Sequence, residues 1–175
     1  LSGEKYACRM LRIPDADQED ARNLNRELET LKGEKTRHTN RIRGLLAAQG
    51  IRGVSIDRHF PKRLSQASTA DGRPLKAHLK ARLEREFERL ALVVDQVRAL
   101  QIQQMAMLRN AAKAERDADK AERRRVLLQA SYDDRIAANA YHLSQLAGIG
   151  IVTSWTLSAE IFAWRDIKNR RQLAA

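Results

Sequence analysis

Ala21-Arg22-Asn23-Leu24-Asn25-Arg26-Glu27-Leu28-Glu29-Thr30-Leu31 sets the fold class. Its apolar side chains stand at Ala21, Leu24, Leu28 and Leu31, and the series resumes at Ile42 and Leu45. With Lys35 and His38 filling the gap, the spacing alternates between three and four residues, the signature of a heptad seam. Polar seam residues weaken packing but can fix register. Upstream, Asp15, Asp17, Glu19 and Asp20 follow Pro14. Acids in a first turn offset the positive end of the helix dipole, so a helix is predicted over about 15–49. Gly33 and Gly44 each cost it about 1 kcal/mol relative to alanine, so it needs a packing partner.

That partner is the second rod, predicted over about 75–109. Leu83, Phe87, Leu90, Val94 and Val97 repeat the spacing, Gln101 and Gln104 continue it, and Leu108, Ala111 and Ala118 follow. Each rod is on the order of 50 Å long at 1.5 Å per residue. An antiparallel hairpin within one chain and a seam shared between two chains both satisfy the pattern. Between the rods, Gly50, Gly53, Pro61, Gly72 and Pro74 mark residues 50–74 as a long loop. Tyr6 to Ile13 reads as a short strand ended by Pro14.

Near the carboxyl end, Leu146-Ala147-Gly148-Ile149-Gly150-Ile151-Val152-Thr153-Ser154 reads as a helix, a two-glycine turn and a second helix. Ile136, Ala140, Leu143 and Leu146 share a face of the first helix, and Leu157 and Ile161 continue an apolar face in the second. Trp155 and Trp164 bracket that face and read as core. Glycines in such a turn let backbone amides come close to a phosphate, and the helix start adds partial positive charge. The pattern is that of a helix-hairpin-helix, although helix pairs also turn on glycine for packing alone.

The net charge is +11 and the sequence pI about 10.4, which favours anionic partners. The segment Lys32 to Arg43 holds Lys35, Arg37, His38, Arg41 and Arg43, with Asn40 among them and Glu34 as its one acid. This is a candidate track for a phosphate backbone, against an ordinary solvated stripe. No aromatics interleave with these charges, so base stacking is not expected there. Arg165, Lys168, Arg170 and Arg171 form a second basic cluster after the glycine turn, and Arg123-Arg124-Arg125 is the densest triplet.

One cysteine, Cys8, excludes an internal disulfide and fits a reducing, cytoplasmic setting. No apolar run approaches the roughly 18 residues of a membrane span. The histidines His38, His59, His78 and His142 lack second ligands at metal spacing. Asp133 and Asp134 are adjacent and diverge on a helix. Neither a Gly-x-Ser-x-Gly elbow nor a phosphate-loop Gly-Lys-Ser/Thr occurs. Glu84 to Arg89 reads as a salt-bridged helix surface. No catalytic residue is assigned.

Three stretches together resemble one family. They are Leu24 to Ile51 with its Arg37-His38-Thr39-Asn40-Arg41 core, Leu79-x-x-x-Leu83-Glu84-Arg85-Glu86, and Leu146 to Ala175 with Gly148-Ile149-Gly150, Ala159-Glu160-Ile161, Trp164-Arg165 and Asn169 to Ala174. The chain resembles the DEDD-type transposases of the bacterial insertion-sequence group one-ten/eleven-eleven, relatives of the Piv invertase. The resemblance implies an amino-terminal RuvC-like domain with four metal-binding acids and a magnesium requirement. It also implies a coiled-coil insertion, a carboxy-terminal domain with a nucleophilic serine, and DNA recombination guided by a structured RNA.

On that plan residues 1–14 are a remnant of the first domain, 15–125 the coiled-coil region, and 126–175 the start of the last domain. Asp15, Asp17, Glu19 and Asp20 do not match the four acids, and Ser154 and Ser158 do not match the nucleophile. No cofactor is expected in this segment, and both ends look cut from a longer protein. The expected fold is all-α and elongated. The expected function is oligomerisation through the coiled coil and nucleic-acid backbone binding by Lys35, Arg37, His38, Asn40, Arg41, Arg43, Gly148, Gly150, Lys168, Arg170 and Arg171. The partners are DNA, a guide RNA and a second copy, with no membrane. The rivals are a coiled-coil interaction protein or decayed transposase without nucleic-acid activity, and an active nuclease with acids converging on a metal.

Overall fold

A computed structural model describes residues 13–117, 119, 129–165 and 167, and among them the fold is all-α with no strand. The helices are α1 (Ala16–Ala47), α2 (Phe60–Gln66), α3 (Ala77–Asp117), α4 (Tyr132–Ser144) and α5 (Ile151–Leu157), the last running into a π-helical turn, Ser158–Phe162. The expected strand at Tyr6 to Ile13 lies, but for Ile13, outside the described residues. The chain forms two compact units, one of Leu1–Arg26 with Gln103–Ala175, the other of Glu27–Ile102.

In the unit of Glu27–Ile102, α1 and α3 run antiparallel. Leu28 and Leu31 pack with Val93 and Val97, while Ile42 and Leu46 pack with Leu83 and Leu90. The seam therefore closes within one chain. Its register on α3 differs from the sequence expectation. Glu86 and Val93 are buried where Phe87 and Val94, only half-buried, were expected. The residues between the rods are not a bare loop. Phe60 and Leu64 bury one side of α2 against Ile42, Leu46 and Leu83, and Phe60 stacks on Phe87 with ring centroids 5.2 Å apart. Burying such a side chain stabilises by about 1.5–3 kcal/mol. Pro61 suits the first turn of α2, where a missing N–H costs nothing. Gly50, at φ +74°, lets the chain leave α1 close to Ala70, whose Cβ a side chain would strike at 2.4 Å.

In the other unit, Asp15 and Gln18 cap α1 reciprocally: Asp15 N–H donates to Gln18 Oε1 (3.0 Å) and Gln18 N–H to Asp15 Oδ1 (2.8 Å). Ala21, Leu108, Ile136, Ala137, Ala140, Trp155 and Ala159 form the core. Trp155 and Trp164 are both buried, as expected of core residues. The second helix buries a different face from the expected one. Ser154, Trp155, Ser158 and Ala159 are inside, while Leu157 and Ile161 are half-buried. Small residues decide this. The Ser158 hydroxyl donates to the Ile136 carbonyl at 2.7 Å, a closeness a larger side chain would prevent. Arg22 donates to Glu160 at 3.0 Å through Nε and lies over the Trp164 ring.

Gly148 has φ +86° and Gly150 an extended φ of −79°, and a Cβ at either would meet open space. The two glycines therefore differ in what they do for the fold. Gly148→Ala should cost about 1–2 kcal/mol through left-handed backbone strain. Gly150→Ala should cost about 0.5 kcal/mol as a weaker N-cap. Chemical denaturation of both variants checks this, and equal losses would contradict it.

Candidate nucleic-acid interface

The basic segment of α1 lies in the unit of Glu27–Ile102, and its side chains are in two different situations. Lys35, Arg37, Asn40 and Arg43 are exposed. Arg37 sits 3.7 Å from Glu34, a loose surface pair worth little. His38 and Arg41 are engaged. His38 Nδ1 lies 2.6 Å from Glu86 Oε1, and Arg41 Nη1 donates to the same oxygen at 2.7 Å. Arg89 donates to Glu86 Oε2 at 3.1 Å. Glu86 is thus no surface residue, with a side chain only 3% exposed. Its burial opposes ionisation, but hydrogen bonds from His38 and Arg41 and their charges outweigh that and hold the carboxyl below its ordinary value of 4.5.

Gly148 and Gly150 belong to the other unit, and both are exposed. Ser154, the small residue expected where helices approach, is fully buried and donates to the Gly150 carbonyl at 3.0 Å. Leu146, Ile151 and Val152 around the turn are exposed. Of the second basic cluster, Arg165 lies over the Trp164 ring at 4.9 Å. Lys168, Arg170 and Arg171 fall outside the described residues, as does Arg123-Arg124-Arg125.

The described acids do not fit a catalytic metal. Asp15 caps α1, and Glu19 pairs with Arg22 and Arg26. Burial, with the charges of Asp20 and Asp134, pushes the Asp133 carboxyl up, but these acids do not converge on a common metal position. Among the described residues no group of three or more His, Cys, Asp or Glu could hold a metal ion. No helix there is long and apolar enough to cross a membrane.

The sequence reading stopped the basic tract at Arg43, but it continues. Residues 35–82 contain twelve Lys and Arg against two Asp and no Glu. This imbalance is countable in the sequence. Prolines and glycines make residues 50–74 read as a connection rather than a surface, which masks it.

Comparison with known proteins bears on the whole chain. No family model and no solved structure matches it. The chain is 38% identical over 174 residues to "Putative transposase y4rJ" of Sinorhizobium fredii (strain NBRC 101917 / NGR234), a match covering 99% of its length. Its likeness is to a transposase. The chain spans 40% of that curated relative's length.

Proposed function

We propose that this chain is part of an insertion-sequence transposase and that it binds the nucleic-acid backbone. The observation that carries the reading is the 38% identity to a transposase across 99% of the chain. The exposed cations of α1 and the open glycine turn support backbone contact, because phosphates need accessible donors rather than a shaped pocket. The assignment to the one-ten/eleven-eleven group rests on the resemblance of the Arg37-His38-Thr39-Asn40-Arg41 segment and the Gly148 turn. DNA, a structured guide RNA and a second copy of the chain are the proposed partners. Magnesium belongs to the proposed longer enzyme, and no step is assigned to it here.

Within the tract, Lys35, Arg37, Asn40 and Arg43 are the proposed phosphate contacts. His38 and Arg41 act first as partners of Glu86, which turns them from contact residues into positioning residues. Binding to a short DNA duplex, followed by fluorescence anisotropy across a salt series, tests the reading. About five neutralised phosphates give a log–log slope near −4.5 and a loss of about 500-fold between roughly 50 and 200 mM salt. Absence of binding at low salt, or a flat slope, would overturn it in favour of a coiled-coil interaction protein.

A further inference from the structure

The cations of residues 35–82 are poorly matched by acids, and the structure sharpens that imbalance. Asp57 is paired with Arg63 and Asp71 with Arg73. Glu86, just beyond, is sealed against His38 and Arg41. Arg37 has Glu34 nearby. That leaves eight of the twelve cations with no acidic partner among the described residues, Arg43, Arg52, Arg58, Lys62 and Lys76 among them.

These five are exposed and all belong to the end of the helical hairpin. Arg43 and Arg52 line one cleft of about 450 Å³ beside the end of α1, together with Gly53. Lys76 and Arg73 line a second, of about 400 Å³, that begins at the next residues of the same helix end. The scaffold under them is ordered. Phe60 and Leu64 anchor α2, Asp57 Oδ1 accepts the His59 N–H at 2.8 Å, and the Ala70 N–H donates to the Gln49 carbonyl at 3.0 Å. Concentrated like charge with no internal counter-charge repels itself and weakens the compact state. A bound polyanion removes that cost.

We infer that the tip of the hairpin, built from the end of α1, α2 and the start of α3, is a sequence-independent grip for a nucleic-acid duplex, separate from the glycine turn. The inference rests on the reading of the chain as a nucleic-acid-binding part of a transposase. A duplex fits better than a single strand, because the tip offers no exposed stacking platform. Phe60 is buried and its ring is committed to Phe87. Charge without a donor pattern aimed at base edges gives affinity without sequence preference. The contacted chemistry is the phosphodiester backbone, which DNA and RNA share.

The test uses the whole chain and scrambled-sequence DNA and RNA duplexes in separate salt series. The tip variant Arg52→Gln/Arg58→Gln/Lys62→Gln, which spares Arg43, is compared with Arg98→Gln/Arg109→Gln/Lys113→Gln, which removes the same charge from exposed positions further along α3. The expected result is that the tip variant flattens the slope from near −4.5 to near −2, so that binding falls about tenfold rather than about 500-fold over the same salt range. The comparison variant changes it less. A preference of one duplex type at equal salt identifies the source of the backbone.

Lysine acetylation of the unsubstituted chain is the second measurement and needs no variant. Lys62 and Lys76 should be protected by duplex. A steep slope in the unsubstituted chain that the tip variant leaves intact, or no protection of either lysine, overturns the inference while leaving the functional reading in place. No binding by the unsubstituted chain overturns both.

Discussion

Phe60→Ala lowers the stability of the Glu27–Ile102 unit by about 3–5 kcal/mol, the range for truncating a buried aromatic. Phe60 is fully buried and joins Ile42, Leu46, Leu64, Leu83 and Leu90 in one cluster, with its ring against Phe87. Two costs add. The apolar area returns to water, and the rods, held along their length by Leu28, Leu31, Val93 and Val97, cannot close the gap. The loss is local in its consequence as well. α2 is only seven residues long, too short to stand as an isolated helix, so without its aromatic anchor it melts. Urea denaturation followed by circular dichroism checks the energy. The same variant should lose duplex affinity, since Lys62 and Arg58 are displayed from the anchored segment. A loss below about 1 kcal/mol would mean that α2 is not docked as described.

Glu86→Ala is the second large effect, a loss of about 2–3 kcal/mol. Breaking a fully buried charge pair costs about 3–5 kcal/mol because the partner is left uncompensated. Here Arg41 and Arg89 are about half exposed and can turn to water, which lowers the figure. Glu86→Leu combined with His38→Leu should restore most of the loss, because an apolar pair removes the stranded partner along with the charge. A double variant no more stable than the single one would contradict this.

The pH dependence has a definite sign. Glu86 holds its proton less tightly in the folded chain than its ordinary value of 4.5. Such a group contributes stability that is present above 4.5 and is lost as the pH falls through its depressed value. Melting temperatures of the unsubstituted chain and of Glu86→Gln should therefore converge as the pH drops below about 4.5 and diverge above it.

The three–four spacing from Ala21 to Leu45 identified α1, and Leu83, Leu90 and Val97 identified α3, because heptad periodicity survives without tertiary information. The α3 register was less legible. Phe87 is more apolar than Glu86, and Val94 is identical to Val93, yet Glu86 and Val93 face the seam. A periodicity argument does not place a carboxylate inside. Only the arrival of His38 and Arg41 opposite makes that position tolerable. The segment 50–74 was read by its prolines and glycines, while its better signal was the pair Phe60 and Leu64, one helical turn apart beside Pro61. The carboxy-terminal helix was found, but its buried face was set by Ser154 and Ser158, whose small size permits close approach that hydrophobicity does not predict.

What the sequence determined alone was local: helical period, the acids of the first turn of α1, the two-glycine elbow, and an excess of positive charge. What only the tertiary structure decided was which positive charges are spent inside. His38 and Arg41 meet Glu86 across 48 and 45 residues of chain, whereas Arg43 and Arg52 meet no acid among the described residues. Charge composition is additive along a chain, but pairing depends on which distant side chains the antiparallel rods bring within hydrogen-bonding reach.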